Sequence, residues 1–221
     1  MQNEVKLIKG LRQPSIFFYQ LKEAEVLKGY RLRIFLLFIL SSLVYGLVAH
    51  FGIGMNSLSK ELVGLSPTAF ETEKFYFFIG RVLLGLLYAG IILFIPSLLF
   101  WTLSEEAEYR KLVVVQGLTL IILLIEKLTF IPLALYLSLN WFSSPFSLGV
   151  LSQYITSNSW VIYFLGCISL FKIWTLFIQY KGLKRLLAKK NWVIWGTLLL
   201  YNLVFWCITA FLAYIDFSSL L

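Results

Sequence analysis

Five long apolar runs constrain this chain more than any other feature. They cover Leu32 to Phe51, Phe75 to Leu103, Leu112 to Leu139, Trp160 to Tyr180 and Trp192 to Ile215. Each reaches about 20 residues or more, enough for an α-helix rising about 1.5 Å per residue to cross the hydrocarbon of a bilayer. Backbone polar groups in lipid must be satisfied within their own segment. The prediction is therefore an all-α polytopic membrane protein, a five-helix transmembrane bundle with no sheet. Composition agrees. Of the residues, 60% are hydrophobic and 14% charged, and mean hydropathy is +0.85; soluble domains carry nearer a quarter charged residues. Cys167 and Cys207 both fall inside apolar runs and are expected as buried, unreactive thiols rather than as a disulfide.

The placement of Lys and Arg gives the expected direction. Lys6, Lys9, Arg12, Lys22, Lys28, Arg31 and Arg33 stand at or before the start of the first run, Arg110 and Lys111 between the second and third. Lys181, Lys184, Arg185, Lys189 and Lys190 stand between the fourth and fifth. The loop after the first run has only Lys60 and Lys74, and the stretch from Asn140 to Ser159 has no charge. All three basic segments share the cytoplasmic side only if the chain crosses five times with its N-terminus inside, which puts the C-terminus and Asp216 outside. The net charge of +8 then needs anionic lipid as its partner and no nucleic acid. The charged lead is too long for the first part of a signal peptide, so the first run is expected to stay in the mature protein. No repeat or linker divides the chain, which reads as a cytoplasmic amphipathic segment over 1–31 and one five-span domain over 32–221.

Within that lead, Pro14 suits the first turn of a helix. Phe17, Leu21 and Ala24 recur at helical spacing, with Phe18 and Leu27 beside them and Lys22, Glu23, Glu25 and Lys28 opposite. This pattern predicts a helix lying on the cytoplasmic membrane surface, apolar side down; the same face would alternatively dock a partner. The segment from Gly52 to Lys74, with Ser66 before Pro67, reads as an outer loop ending in a short helix. Trp141, Phe142, Pro145 and Phe146 read as a loop in the outer interface, and Trp160, Trp192 and Trp195 as belt residues.

Ionisable side chains within apolar runs are costly and call for partners. Arg81 lies near one end of its run and can extend to the interface. Lys172 sits about 12 Å from the inner end of the fourth run, and Glu126 and Lys127 about 20 Å into the third. Adjacent residues diverge by about 100° around a helix, so Glu126 and Lys127 cannot easily pair with each other. The expected solution is an intramembrane ion pair between Glu126 and Lys172. The alternative is a polar pathway for protons or a substrate with Glu126 as carrier, and Asn202 could complete either network.

Catalytic motifs fail on inspection. Glu105, Glu106 and Arg110 spell E-E-x-x-x-R, similar to the first motif of CAAX-type intramembrane proteases, but those need histidines in later helices. The single histidine, His50, lies upstream at the other end of the bundle. No Gly-rich phosphate loop, metal-ligand spacing or Ser–His pairing stands out, so no cofactor, metal or enzymatic activity is expected.

The lead Gln13-Pro14-Ser15-Ile16-Phe17-Phe18 opens into five runs, and the fourth closes with Leu170-Phe171-Lys172-Ile173-Trp174, then Gln179-Tyr180-Lys181-Gly182-Leu183-Lys184. This organisation resembles the Yip-domain family (Rab-GTPase-interacting proteins in eukaryotes), and in particular its bacterial YknW-like members. There a similar L-F-x-I-W stretch precedes a Gly-Leu and a basic loop, here Phe171, Trp174 and Gly182. Pro132 comes later in the third run than the proline often found in that family. The resemblance implies a non-enzymatic adaptor in the bacterial plasma membrane. Its partners would be other membrane proteins, above all the permease and ATPase of an ABC-type exporter of peptides or toxins. The contrasting expectation from the charged residues is a small proton- or ion-coupled transporter built around Glu126 and Lys172.

Overall fold

A computed structural model describes residues 2–4, 6–55, 66–103 and 107–215. Lys60, Glu105, Glu106 and Asp216 lie outside the described residues. The rest is mostly helical, and four helices are long and apolar enough to cross a membrane. These are α3 (Tyr30–His50), α4 (Pro67–Trp101), α5 (Tyr109–Leu137) and, at the end of the chain, α9 (Asn191–Tyr214).

Two short helices precede them, α1 (Leu7–Arg12) and α2 (Pro14–Glu23). Pro14 opens α2 because it needs no backbone donor there. The helix stops at Glu23, Ala24 is extended, and residues 26–28 leave the helix altogether. They form β2 (Val26–Lys28), paired in parallel with β1 (Gln2–Glu4), Gln2 opposite Val26. This corrects two expectations. A small sheet exists, and Lys28 lies on a strand rather than on the polar side of α2. Both strands are outside the apolar runs, where water can satisfy the open strand edges that lipid forbids.

The apolar side of α2 also finds a different surface from the expected lipid. Phe17, Phe18 and Leu21 are buried within the chain, Phe18 completely, in a cluster with Leu118 of α5 and Leu183 near the chain's later basic segment. A Cβ at Gly10 would sit 3.0 Å from Leu118, so α1 rests directly on α5. Lys111 at the start of α5 ties the wedge down, with Nζ donating to the Lys22 carbonyl at 3.0 Å and 2.8 Å from a Glu108 carboxylate oxygen.

Ser66 caps α4, its hydroxyl accepting from the Ala69 amide at 3.4 Å. The short helix expected ahead of the second run is continuous with it. At 35 residues, about 52 Å long, α4 exceeds the ~30 Å of hydrocarbon, and its exposed first turns carry Glu71, Glu73 and Lys74. It crosses α3 very closely: a Cβ at Gly85 would meet the Ser41 carbonyl oxygen at 2.8 Å, and the Ser41 hydroxyl donates to the Gly85 carbonyl at 2.7 Å. Small residues and short hydroxyl bonds of this kind bring helices together where lipid removes the hydrophobic drive. The centre of the bundle is α5, whose residues 111–120 are all buried, as an all-round apolar helix requires.

The fourth apolar run is the main departure. It was expected as one helix over 160–180 and instead forms α7 (Ser159–Gly166) and α8 (Leu170–Leu186), interrupted at 167–169. The preceding uncharged stretch is not a plain loop either. It holds a 3-10 turn (Trp141–Ser143) and α6 (Gly149–Ile155), which packs on α7. This stretch explains the break. Ser147 and Ser169 form an antiparallel bridge in which the Leu148 amide donates to the Ile168 carbonyl and the Leu170 amide to the Phe146 carbonyl, both at 2.9 Å. Backbone groups released by the broken helix are taken up by protein, the condition under which irregular backbone is tolerated at membrane depth.

Candidate functional site

The break gives α8 a free N-terminus in the middle of the bundle, and Ser169 caps it. Its hydroxyl accepts from the Lys172 amide at 3.2 Å and donates to the carboxylate of Glu126 on α5. Thr175 returns its hydroxyl to the Lys172 carbonyl at 2.7 Å, and Thr129 to the Glu126 carbonyl at 2.8 Å. A carboxylate beside the amide end of a helix is electrostatically favoured, whereas a lysine in that first turn is not. Glu126 is therefore held by the helix end and Ser169, while Lys172 occupies a position that favours an anion nearby.

Glu126, Thr129, Lys172 and Thr175 line a chamber of about 520 Å³ bounded by α3, α4, α5, α8 and α9. Its lining reaches Gly54 and Asn140 at one end and Gln116 and Gln179 toward the other. All four of the predicted intramembrane polar residues contribute to it: Glu126, Lys127, Lys172 and Asn202. Their pairing differs from the expectation. Glu126 bonds Ser169, and no salt bridge joins it to Lys172 among the described residues. Lys127 lies 4.5 Å from the centre of the Tyr45 ring, a cation–π contact with α3 in place of a pairing with its neighbour. Asn202 donates to the Leu198 carbonyl of its own helix at 2.9 Å. Arg81 reaches the chamber's end, Nη2 donating to the Gly54 carbonyl at 3.1 Å.

Several lining residues carried no charge and so escaped the sequence reading. Gln116 and Gln179 face each other across α5 and α8, Nε2 of Gln179 donating to Oε1 of Gln116 at 2.8 Å. Thr119 lies one turn along α5. The signal was present in each case, a polar side chain inside an apolar run, and depth makes uncharged amides costly too.

The residues of the family resemblance are divided. Phe171 lines the chamber and meets Phe146 edge to face, with ring centres 5.8 Å apart. Gly182 is buried, with space for a Cβ only 2.8 Å from Val115 and 3.1 Å from Phe18, so it is where α8 accepts both α5 and α2. Trp174 points outward from α8, 37% exposed. Of the expected docking residues, Phe17, Phe18 and Leu21 are buried in the bundle and Pro14 is half-buried at the start of α2, while Lys22 and Lys28 are exposed. His50 closes α3, exposed, its ring 5.5 Å from that of Phe51. Among the described residues, no three His, Cys, Asp or Glu side chains gather as metal ligands would.

No family model, curated protein or solved structure matches the chain.

Proposed function

We propose that this chain is a five-crossing membrane subunit, N-terminus in the cytoplasm and C-terminus outside. In this reading it works as a non-enzymatic accessory component of a larger membrane assembly. The fourth crossing in chain order is the pair α7 and α8 taken together, about 12 and 26 Å long. The resemblance to the Yip-domain family points to the permease and ATPase of an ABC-type exporter as the assembly and the bacterial plasma membrane as the location.

One observation carries the reading. The N-terminal wedge is fixed to α5 and α8, so the basic segments are collected at one end of the bundle on ordered helices. Lys9, Arg12, Lys22, Arg110, Lys184 and Arg185 are all exposed there. Cations on rigid elements form a surface that an acidic partner face can read; a helix lying loosely on lipid would not hold them in register. The positive-inside tendency gives that end to the cytoplasm, and anionic lipid is the second partner.

Purification from native membranes in mild detergent tests this. An ATPase with its permease should accompany the chain and be lost on exchanging Lys184 and Arg185 for Glu. The reading is overturned if no such pair accompanies the chain, or if the purified chain alone moves a solute across liposomes.

A second reading, a proton- or ion-coupled transporter, is favoured by the chamber at the broken crossing. Exchanging Glu126 for Gln together with Lys172 for Met should leave partner association intact and abolish flux if that reading holds.

A further inference from the structure

The chamber contains polar groups that no described residue of the chain satisfies, and they fall at two places. The first is the amide pair. Gln116 and Gln179 are buried to 0% and 2% exposure, and after their mutual bond the Gln116 Nε2 and Gln179 Oε1 atoms have no partner among the described residues. Turning both amides over exchanges the roles and still leaves one donor and one acceptor. Turning only one sets two donors or two acceptors face to face. The buried Thr119 hydroxyl is unpartnered beside them. Buried polar atoms are nearly always satisfied, so three together around one cavity point to a missing hydrogen-bonding group.

The second place is the break. The Lys172 ammonium makes no hydrogen bond or salt bridge among the described residues, although its backbone is fixed by Ser169 and Thr175. Among the described residues of the lining, Arg81, Lys127 and Lys172 stand against a single carboxylate, Glu126, which Ser169 already engages. The chamber is therefore electropositive where water is scarce and such charge acts strongly. Between the two places the lining is aromatic, with Tyr88, Tyr201 and Phe205. Lys172 and Gln179 are seven residues apart on α8, about 10 Å along its axis. The volume of about 520 Å³ is that of an ordinary small-molecule pocket.

We propose that the chamber binds one small organic anion. Its carboxylate or phosphate lies against Lys172 and Lys127, its apolar body against the tyrosines, and a hydrogen-bonding tail against Gln116 and Gln179. A soluble aromatic acid and the acidic head of a lipid share this chemistry. The site underlies the transport reading above but concerns occupancy alone; a chamber that fills without conducting would end that reading and leave the site standing.

Equilibrium dialysis of 4-hydroxycinnamate and of cinnamate against the chain in phosphatidylcholine nanodiscs, with empty nanodiscs subtracted, tests the soluble source. Native mass spectrometry of the purified chain for a retained acidic lipid tests the other. Expected is one bound anion per chain from one source. Lys172→Met should lower its affinity at least tenfold, and Lys172→Arg should retain it within a few-fold. Lys74→Met, outside the chamber, should change nothing. Gln116→Leu with Gln179→Leu replaces buried amides by apolar side chains the bilayer interior tolerates. This pair should keep the fold and erase any preference for 4-hydroxycinnamate over cinnamate. The proposal is overturned if the wild-type chain retains no acidic lipid and takes up neither acid, or if Lys172→Met binds as the wild type does.

Discussion

Ser169 shows how much one small side chain can organise inside a membrane protein. It ends the extended link after α7, caps α8 and gives Glu126 its hydrogen bond. Losing a helix cap costs about 1 kcal/mol, and leaving a charged acceptor short of a donor costs about 1.5–3 kcal/mol more. Ser169→Ala should therefore lower stability by about 2 kcal/mol or more, read as a lower unfolding midpoint in detergent, and Ser169→Thr should recover most of it. An alanine variant as stable as the wild type would mean that the break is held by the backbone bridge to Ser147 alone. Glu126, Lys127 and Lys172 stood out in the sequence because charge inside an apolar run is rare. Ser169 did not, because serine is common at every depth and only the partner across the bundle makes it special.

At the scale of elements, periodicity identified α2 but not what its apolar side would touch. Phe17, Phe18 and Leu21 suit a membrane surface as well as a protein groove, and the chain provides the groove between α5 and α8. Emptying a buried phenylalanine site costs about 3–5 kcal/mol. Phe18→Ala should loosen the wedge selectively, so that trypsin cuts at Arg12 and Lys22 at least tenfold faster while α5 and α8 stay intact. Unchanged cleavage would show that Lys111 and the small sheet are enough to hold it. The same limit applies to the fourth run. Its composition suits a continuous helix, and Gly166 and Ser169 are weak markers of a break. The break becomes favourable only because residues 146–148 come alongside and accept and donate the hydrogen bonds an isolated helix would have kept for itself.

At the scale of the whole molecule, the contacts of α1 and α2 with α5 and α8 bring together three basic segments that are far apart in sequence. The proposed topology of five crossings, N-terminus inside, joins that gathering to the uncharged far end. In a chain with Cys167→Ala and Cys207→Ser, single cysteines at Ser15, Gln153 and Lys189 test it. A membrane-impermeant maleimide applied to intact cells should label the Gln153 position at once and the other two only after permeabilisation. Labelling at the Lys189 position from outside would remove the crossing by α7 and α8 and the orientation with it.

The apolar runs alone determined that this is a helical membrane chain, because a backbone in lipid has few other ways to satisfy itself and the lengths match the bilayer. Charge at depth also singled out Glu126, Lys127 and Lys172, and a buried amide, Asn202, as candidates for one polar interior. Only the tertiary structure decided how that interior is arranged: Glu126 on Ser169, Lys127 over Tyr45, Lys172 facing a chamber, and two glutamines with hydrogen bonds to spare. Apolar residues report depth whatever they touch. A polar residue's role depends on which partner from another segment reaches it, and periodicity along one segment does not contain that.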